Sequence, residues 1–120
     1  MSKKFLLLIF IGIIVLGAVI FIISKNIFSH SKIILFYGEN CPFCQKVEDF
    51  IKENKIEDKI SFERKEIFSN EENKIELIGK AEICGLSAAD IGVPLLWDGS
   101  KCFVGDTDII NFFKQKTGSL

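Results

Sequence analysis

The chain has 120 residues and room for a single globular domain. Its formal net charge of −1 excludes the strongly basic footprint of a nucleic-acid binder. A hydrophobic fraction of 48% is high, and most of the excess falls in one N-terminal stretch.

Phe5 to Ile23 is a run of 19 residues with no charge and no strong hydrogen-bonding side chain. As a helix it spans roughly 28 Å, close to the hydrocarbon thickness of a bilayer. It is apolar on every face, which argues against a buried helix of a soluble domain. A cleaved signal peptide has a shorter apolar region and a small-x-small cleavage site; Ile22-Ile23-Ser24-Lys25-Asn26 offers none. The stretch therefore predicts an uncleaved anchor over 1–25, then a linker over 26–31 in which His30 is a solvated residue. Lys3 and Lys4 on one side, and Lys25 and Lys32 on the other, give little positive-inside bias. The tail before the run is too short to hold a domain. The N-terminus is expected to stay cytoplasmic and the domain over 32–120 to face outward. Four cysteines fit an oxidising compartment.

Beyond the linker, Lys32 to Tyr37 reads as a central strand buried on both faces. Gly38-Glu39-Asn40 is a turn. A helix follows from Pro42 to about Asn54, with Val47, Phe50 and Ile51 inward and Lys46, Glu48, Asp49 and Lys52 in solvent. Glu57-Asp58-Lys59 reads as a loop. Ile60 to Ile67 reads as a second strand with Ile60 and Phe62 on one face. Ser69 with Glu72 makes a capping box. The helix it starts has Ile75, Leu77 and Ile78 on its apolar side and ends near Ile83, weakened by Gly79. Ser87 and Asp90 cap one short turn. Val93 to Trp97 is a third strand, Asp98 to Lys101 a hairpin turn, and Cys102 to Val104 a fourth strand. Asp106 or Thr107 caps a last helix with Ile109, Ile110, Phe112 and Phe113, closing at Thr117-Gly118. The order is β-α-β-α-β-β-α, an α/β domain.

The chemistry concentrates at Cys41-Pro42-Phe43-Cys44, between the first strand and the first helix of the domain. Two cysteines at this spacing on a helix start can close a disulfide within one turn. Pro42 suits the first helical position, where its missing N–H was an orphan donor. Cys41 then lies where unpaired N–H groups and the positive end of the helix dipole favour a thiolate. A thiolate is the nucleophile of thiol–disulfide exchange. Half a zinc site has the same spacing. Cys84, Cys102 and His30 form no second C-x-x-C or H-x-H, so no metal ligand is assigned. A soft-metal module for copper or zinc on the same two sulfurs is the alternative function. A purely structural disulfide is a further reading.

This order of elements resembles the thioredoxin-like superfamily, with glutaredoxin the nearest well-known member. Cys41-Pro42-Phe43-Cys44, Gly92-Val93-Pro94 and Gly105-Asp106-Thr107-Asp108 carry the resemblance, which covers Lys32 to Lys116. It implies a four-stranded mixed sheet and a thiol–disulfide oxidoreductase needing no cofactor. Cys41 would be the exposed nucleophile and Cys44 the resolving thiol. Pro94 would be a cis proline facing the dithiol, and Val93 would offer backbone hydrogen bonds to a bound peptide. Pro42, Phe43, Asp106 and Thr107 would complete the substrate site. Three departures stand out. Gly38 replaces a lysine common in glutathione-using members, Val104-Gly105 replaces a Gly-Gly pair, and Asp106-Thr107-Asp108 stands where the family often has Cys/Ser-Asp-Asp, adding an acid. They count against glutathione and favour protein or peptide thiols as partners of a monomer. In this topology Cys84 and Cys102 both fall at the end of the domain opposite Cys41. A second, structural disulfide between them is expected, with two separate buried thiols as the alternative.

Overall fold

The structure, a computed structural model, describes residues 2–27 and 32–119. Two compact units divide the chain, Met1–His30 and Ser31–Leu120. The first holds helix α1, Lys3–Ile27. Its apolar side chains are exposed all round, and Lys3–Ile23 is long and apolar enough to cross a membrane. The linker assigned to 26–31 begins inside this helix. Asn26 and Ile27 extend it, because no Gly or Pro follows Ile23 to stop it. The rest of that linker, His30 included, lies outside the described residues.

The second unit runs β1 (Ile34–Tyr37), α2 (Pro42–Glu53), α3 (Ile56–Lys59), β2 (Glu63–Glu66), α4 (Glu71–Ile83), β3 (Leu95–Trp97), β4 (Cys102–Val104) and α5 (Asp106–Thr117). The four strands form one mixed sheet in the order β2-β1-β3-β4. β1 pairs parallel with β2 and antiparallel with β3, and β3 pairs antiparallel with β4. β1 is central and apolar at three successive positions because both its faces are covered. Leu35 and Leu96 face one cluster with Val47, Ile51, Ile109 and Phe113, under α2 and α5. Ile34, Phe36, Leu95 and Trp97 face another with Leu77 and Ala81 of α4.

Several sequence expectations shift. Residues 57–59 are not a loop but part of α3. Lys55 turns left-handed, and Ile56 drops fully buried into the first cluster. β2 starts at Glu63 rather than Ile60, because Ile60 closes α3 through an N–H bond to the Ile56 carbonyl. Ile60 and Phe62 pack against the first cluster from outside the ladder. β1 and β3 also begin later than expected, at Ile34 and Leu95. The cap of α4 is Asn70, whose Oδ1 accepts the Asn73 N–H at 3.1 Å. Ser69 is unavailable, since its hydroxyl donates to Glu66. Neither Asp106 nor Thr107 caps α5. Gly105 holds that position with φ 86°, and Asp106 is the first helical residue. On α4 the buried pair is Leu77 and Ala81, while Ile75 points outward.

Leu77→Ala is expected to cost about 2–5 kcal/mol, the usual range for emptying a packed leucine site. Ile75→Ala should stay within about 0.5 kcal/mol. Urea titrations of both variants check the assignment of the α4 face.

Candidate dithiol site

Cys41 is the N-cap of α2 and has extended backbone angles, with Pro42 at the first helical position. Its Sγ accepts the Cys44 N–H at 3.2 Å, satisfying one orphan donor of the helix start. Cys41 and Cys44 are paired at disulfide distance, with Cα atoms 5.2 Å apart. Their exposure differs. Cys41 is half-buried, whereas Cys44 is 4% exposed and turned toward the core. An incoming reagent therefore meets Cys41 first. Phe43 projects into solvent beside it, 55% exposed, with Lys46 Nζ 5.1 Å from its ring centroid.

The Val93–Pro94 peptide is cis and lies against the dithiol. The Val93 carbonyl oxygen is 3.9 Å from Cys41 Sγ. In the oxidised pair that sulfur carries no proton; on reduction the thiol can donate to this carbonyl. The Pro94 carbonyl in turn accepts the Gly105 N–H at 3.0 Å, which ties the start of α5 to the same corner. Asp106 reaches α2 through Lys46, with 3.5 Å between Oδ2 and Nζ. Thr107 is exposed on the first turn of α5.

A cleft of about 610 Å³ opens beside the sulfurs, lined among others by Tyr37, Glu39, Asn40, Gln45 and Glu48. No sequence motif marks these residues as a group, nor what braces the turn before Cys41. Glu66, at the end of β2, accepts the N–H groups of Phe68 at 2.7 Å and Ser69 at 2.8 Å. The Ser69 hydroxyl and amide, aided by the Phe68 and Glu39 N–H groups, hold the Glu66 carboxyl down at about 2 against a desolvation cost. The Phe68 ring lies over Gly38, filling the space a Cβ would need. Glu66 and Phe68 thus anchor the Gly38–Asn40 turn from the neighbouring strand. The sequence signal was faint: a Glu three residues before a Ser, in a stretch assigned to strand.

Cys84 and Cys102 are also paired at disulfide distance, with Cα atoms 6.0 Å apart. Cys102 stands opposite Trp97 in the β3–β4 ladder, at the end of β3 away from Pro94. Three residues of strand put it roughly 10 Å from the Pro94 corner. A cross-link closing this loop of 18 residues stabilises by roughly 3 kcal/mol on the chain-entropy account. Among the described residues no group of three or more His, Cys, Asp or Glu side chains gathers as a metal-ligand set. The sequence matches no protein-family model and no curated protein.

Glu66 sets a pH expectation. Its folded pKa lies below the ordinary glutamate value of about 4.3, so its stabilisation is complete above that value. The stabilisation is lost as pH falls through the folded pKa, about 2. Glu66→Gln should therefore lower Tm by a constant amount from pH 8 to 5, and the gap to wild type should close as pH drops further. Thermal melts across that series give the answer; a gap that persists undiminished at pH 2 rules the account out.

Proposed function

We propose that the protein is a membrane-anchored thiol–disulfide oxidoreductase with a glutaredoxin-type, thioredoxin-like domain. One observation carries the reading: a half-buried Cys41 at the N-cap of α2 is paired with a buried Cys44 and faces the Val93 carbonyl. The strand order β2-β1-β3-β4, with a parallel β1–β2 pair and a cis Val93–Pro94 beside the dithiol, supports the fold assignment. The helix start favours the Cys41 thiolate, and no cofactor is required.

The reaction runs in two exchanges. The Cys41 thiolate attacks one sulfur of a substrate disulfide. A Cys41–substrate bond forms, the substrate disulfide breaks, and one thiolate leaves. Cys44 then attacks Cys41 Sγ, forming the Cys41–Cys44 disulfide and releasing the second substrate thiol. The substrate gains two electrons and the dithiol loses two. Run backwards, the same steps oxidise a substrate dithiol. Pro42, Phe43, Val93 and Pro94 would form the docking surface, with Asp106 and Thr107 at its edge. Protein or peptide thiols fit this surface better than glutathione. Glu39 and Glu48 are the charged groups lining the dithiol cleft; Arg64 offsets Glu48, so repulsion of glutathione's carboxylates falls mainly to Glu39. The domain is expected to act as a monomer, held by α1 outside the cytoplasm.

Cys44→Ser should trap a mixed disulfide through Cys41, visible as a reducible adduct on non-reducing gels. Cys41→Ser should abolish both the adduct and turnover. A Cys44→Ser protein that never forms an adduct, and a wild type whose Cys41–Cys44 pair never titrates in thiol buffers, would sink the enzyme reading. The orientation has its own check. The full chain should fractionate with membranes, and a membrane-impermeant thiol reagent should reach reduced Cys41 from the outer side only.

A further inference from the structure

Gly85 to Val93 leaves the C-terminus of α4 and delivers the Val93 carbonyl to Cys41. Little holds this loop from within. Ser87 to Asp90 are exposed, and one turn closes the tip, with the Asp90 N–H donating to the Ser87 carbonyl. The Ser87 hydroxyl also donates to the Asp90 carboxylate. Leu86 and Ile91 are half-buried on the cluster under α4. They also line, with Ile67, Leu77, Ile78 and Ala88, a largely apolar cleft of about 420 Å³. Leu86, Ile91 and Val93 seat the inner side of the loop on that cluster, while the tip from Ser87 to Asp90 has no such packing.

The root of the loop is in addition fixed covalently. Cys84 closes α4 and is joined to Cys102, the first residue of β4. β4 is in ladder with β3, and β3 continues directly from Val93–Pro94. Disulfide, loop, β3 and β4 make one closed ring. The point where the loop starts is thereby pinned to the hairpin into which the loop runs.

We propose that Cys84–Cys102 is a positioning disulfide. By pinning the root of the 85–93 loop to β4, it holds the Val93 backbone at Cys41 and so sets how a protein disulfide docks there. This role rests on the oxidoreductase reading above. The pair itself exchanges no electrons; only Cys41 and Cys44 make and break bonds.

The test uses the full chain in detergent micelles. Two variants uncouple the ring differently. Cys84→Ala/Cys102→Ala removes the pin, and insertion of two glycines between Ala88 and Ala89 keeps the disulfide but slackens the loop. In both, amide hydrogen exchange across 85–93 should rise while β1 and α2 stay protected. The rate of reducing insulin, used as a disulfide-bonded protein probe, should fall at least about tenfold, as expected for misplaced binding groups. Alkylation of reduced Cys41 by iodoacetamide, which needs no docking, should change little. A merely stabilising disulfide would leave the insulin rate intact in a folded variant, and that result overturns the proposal. Should the double variant not fold, the glycine insertion alone decides in the same way. If wild type fails to reduce any disulfide, the oxidoreductase reading falls, and unchanged exchange across 85–93 would remove the pin as well.

Discussion

The structure of the second unit depends on one constraint: β1 must be covered on both faces. Ile34, Leu35 and Phe36 leave no polar side for water, so helices are required above and below. α2 and α5 meet that need on one face and α4 on the other. Because β1 ends at Tyr37, the chain must turn at once into α2. That turn sets Cys41 at the helix start, where its sulfur finds the Cys44 N–H. The candidate chemistry is thus a consequence of how the central strand is buried.

The same constraint explains which parts of the chain were legible. An unbroken apolar strand followed by Cys-Pro-Phe-Cys marks its own turn and helix, and α2 falls within one residue of its expected end. The span of α1 was equally plain, since no polar face interrupts it. Competition between neighbours was harder to read. Ser69 has the right sequence for a cap, but Glu66 takes its hydroxyl and leaves Asn70 to do the capping. Apolar residues lie on two sides of α4, and only tertiary packing selects Leu77 with Ala81 over Ile75. α3 depends on Lys55 adopting a left-handed turn, which a lysine does not announce.

The bracing of the site was less legible still. Gly38 reads as a missing lysine until Phe68 is found lying across it. Glu66 reads as a strand residue until its carboxylate is seen gathering N–H groups from two loops. The Phe68–Gly38 and Glu66–Glu39 contacts join segments far apart in sequence, of which local pattern carries no record, while the Phe68 and Ser69 N–H groups lie next to Glu66 in the chain. The edge strand β2 falls inside the stretch Ile60 to Ile67 that reads as strand from the sequence. Its Glu-Arg-Lys-Glu sequence is highly charged, and charge suits an edge that must not recruit another sheet. Arg64 uses that edge to reach Glu48 on α2 and Glu57 on α3.

Trp97 is the only tryptophan in the chain, and it is almost fully buried. It stands opposite Cys102 in the ladder, with Cys84 packed on the same cluster and Lys80 Nζ 4.9 Å from its ring centroid. Breaking the Cys84–Cys102 bond would therefore alter the cluster in which the indole sits. A change at that far clasp is thus a change in the surroundings of a single buried ring.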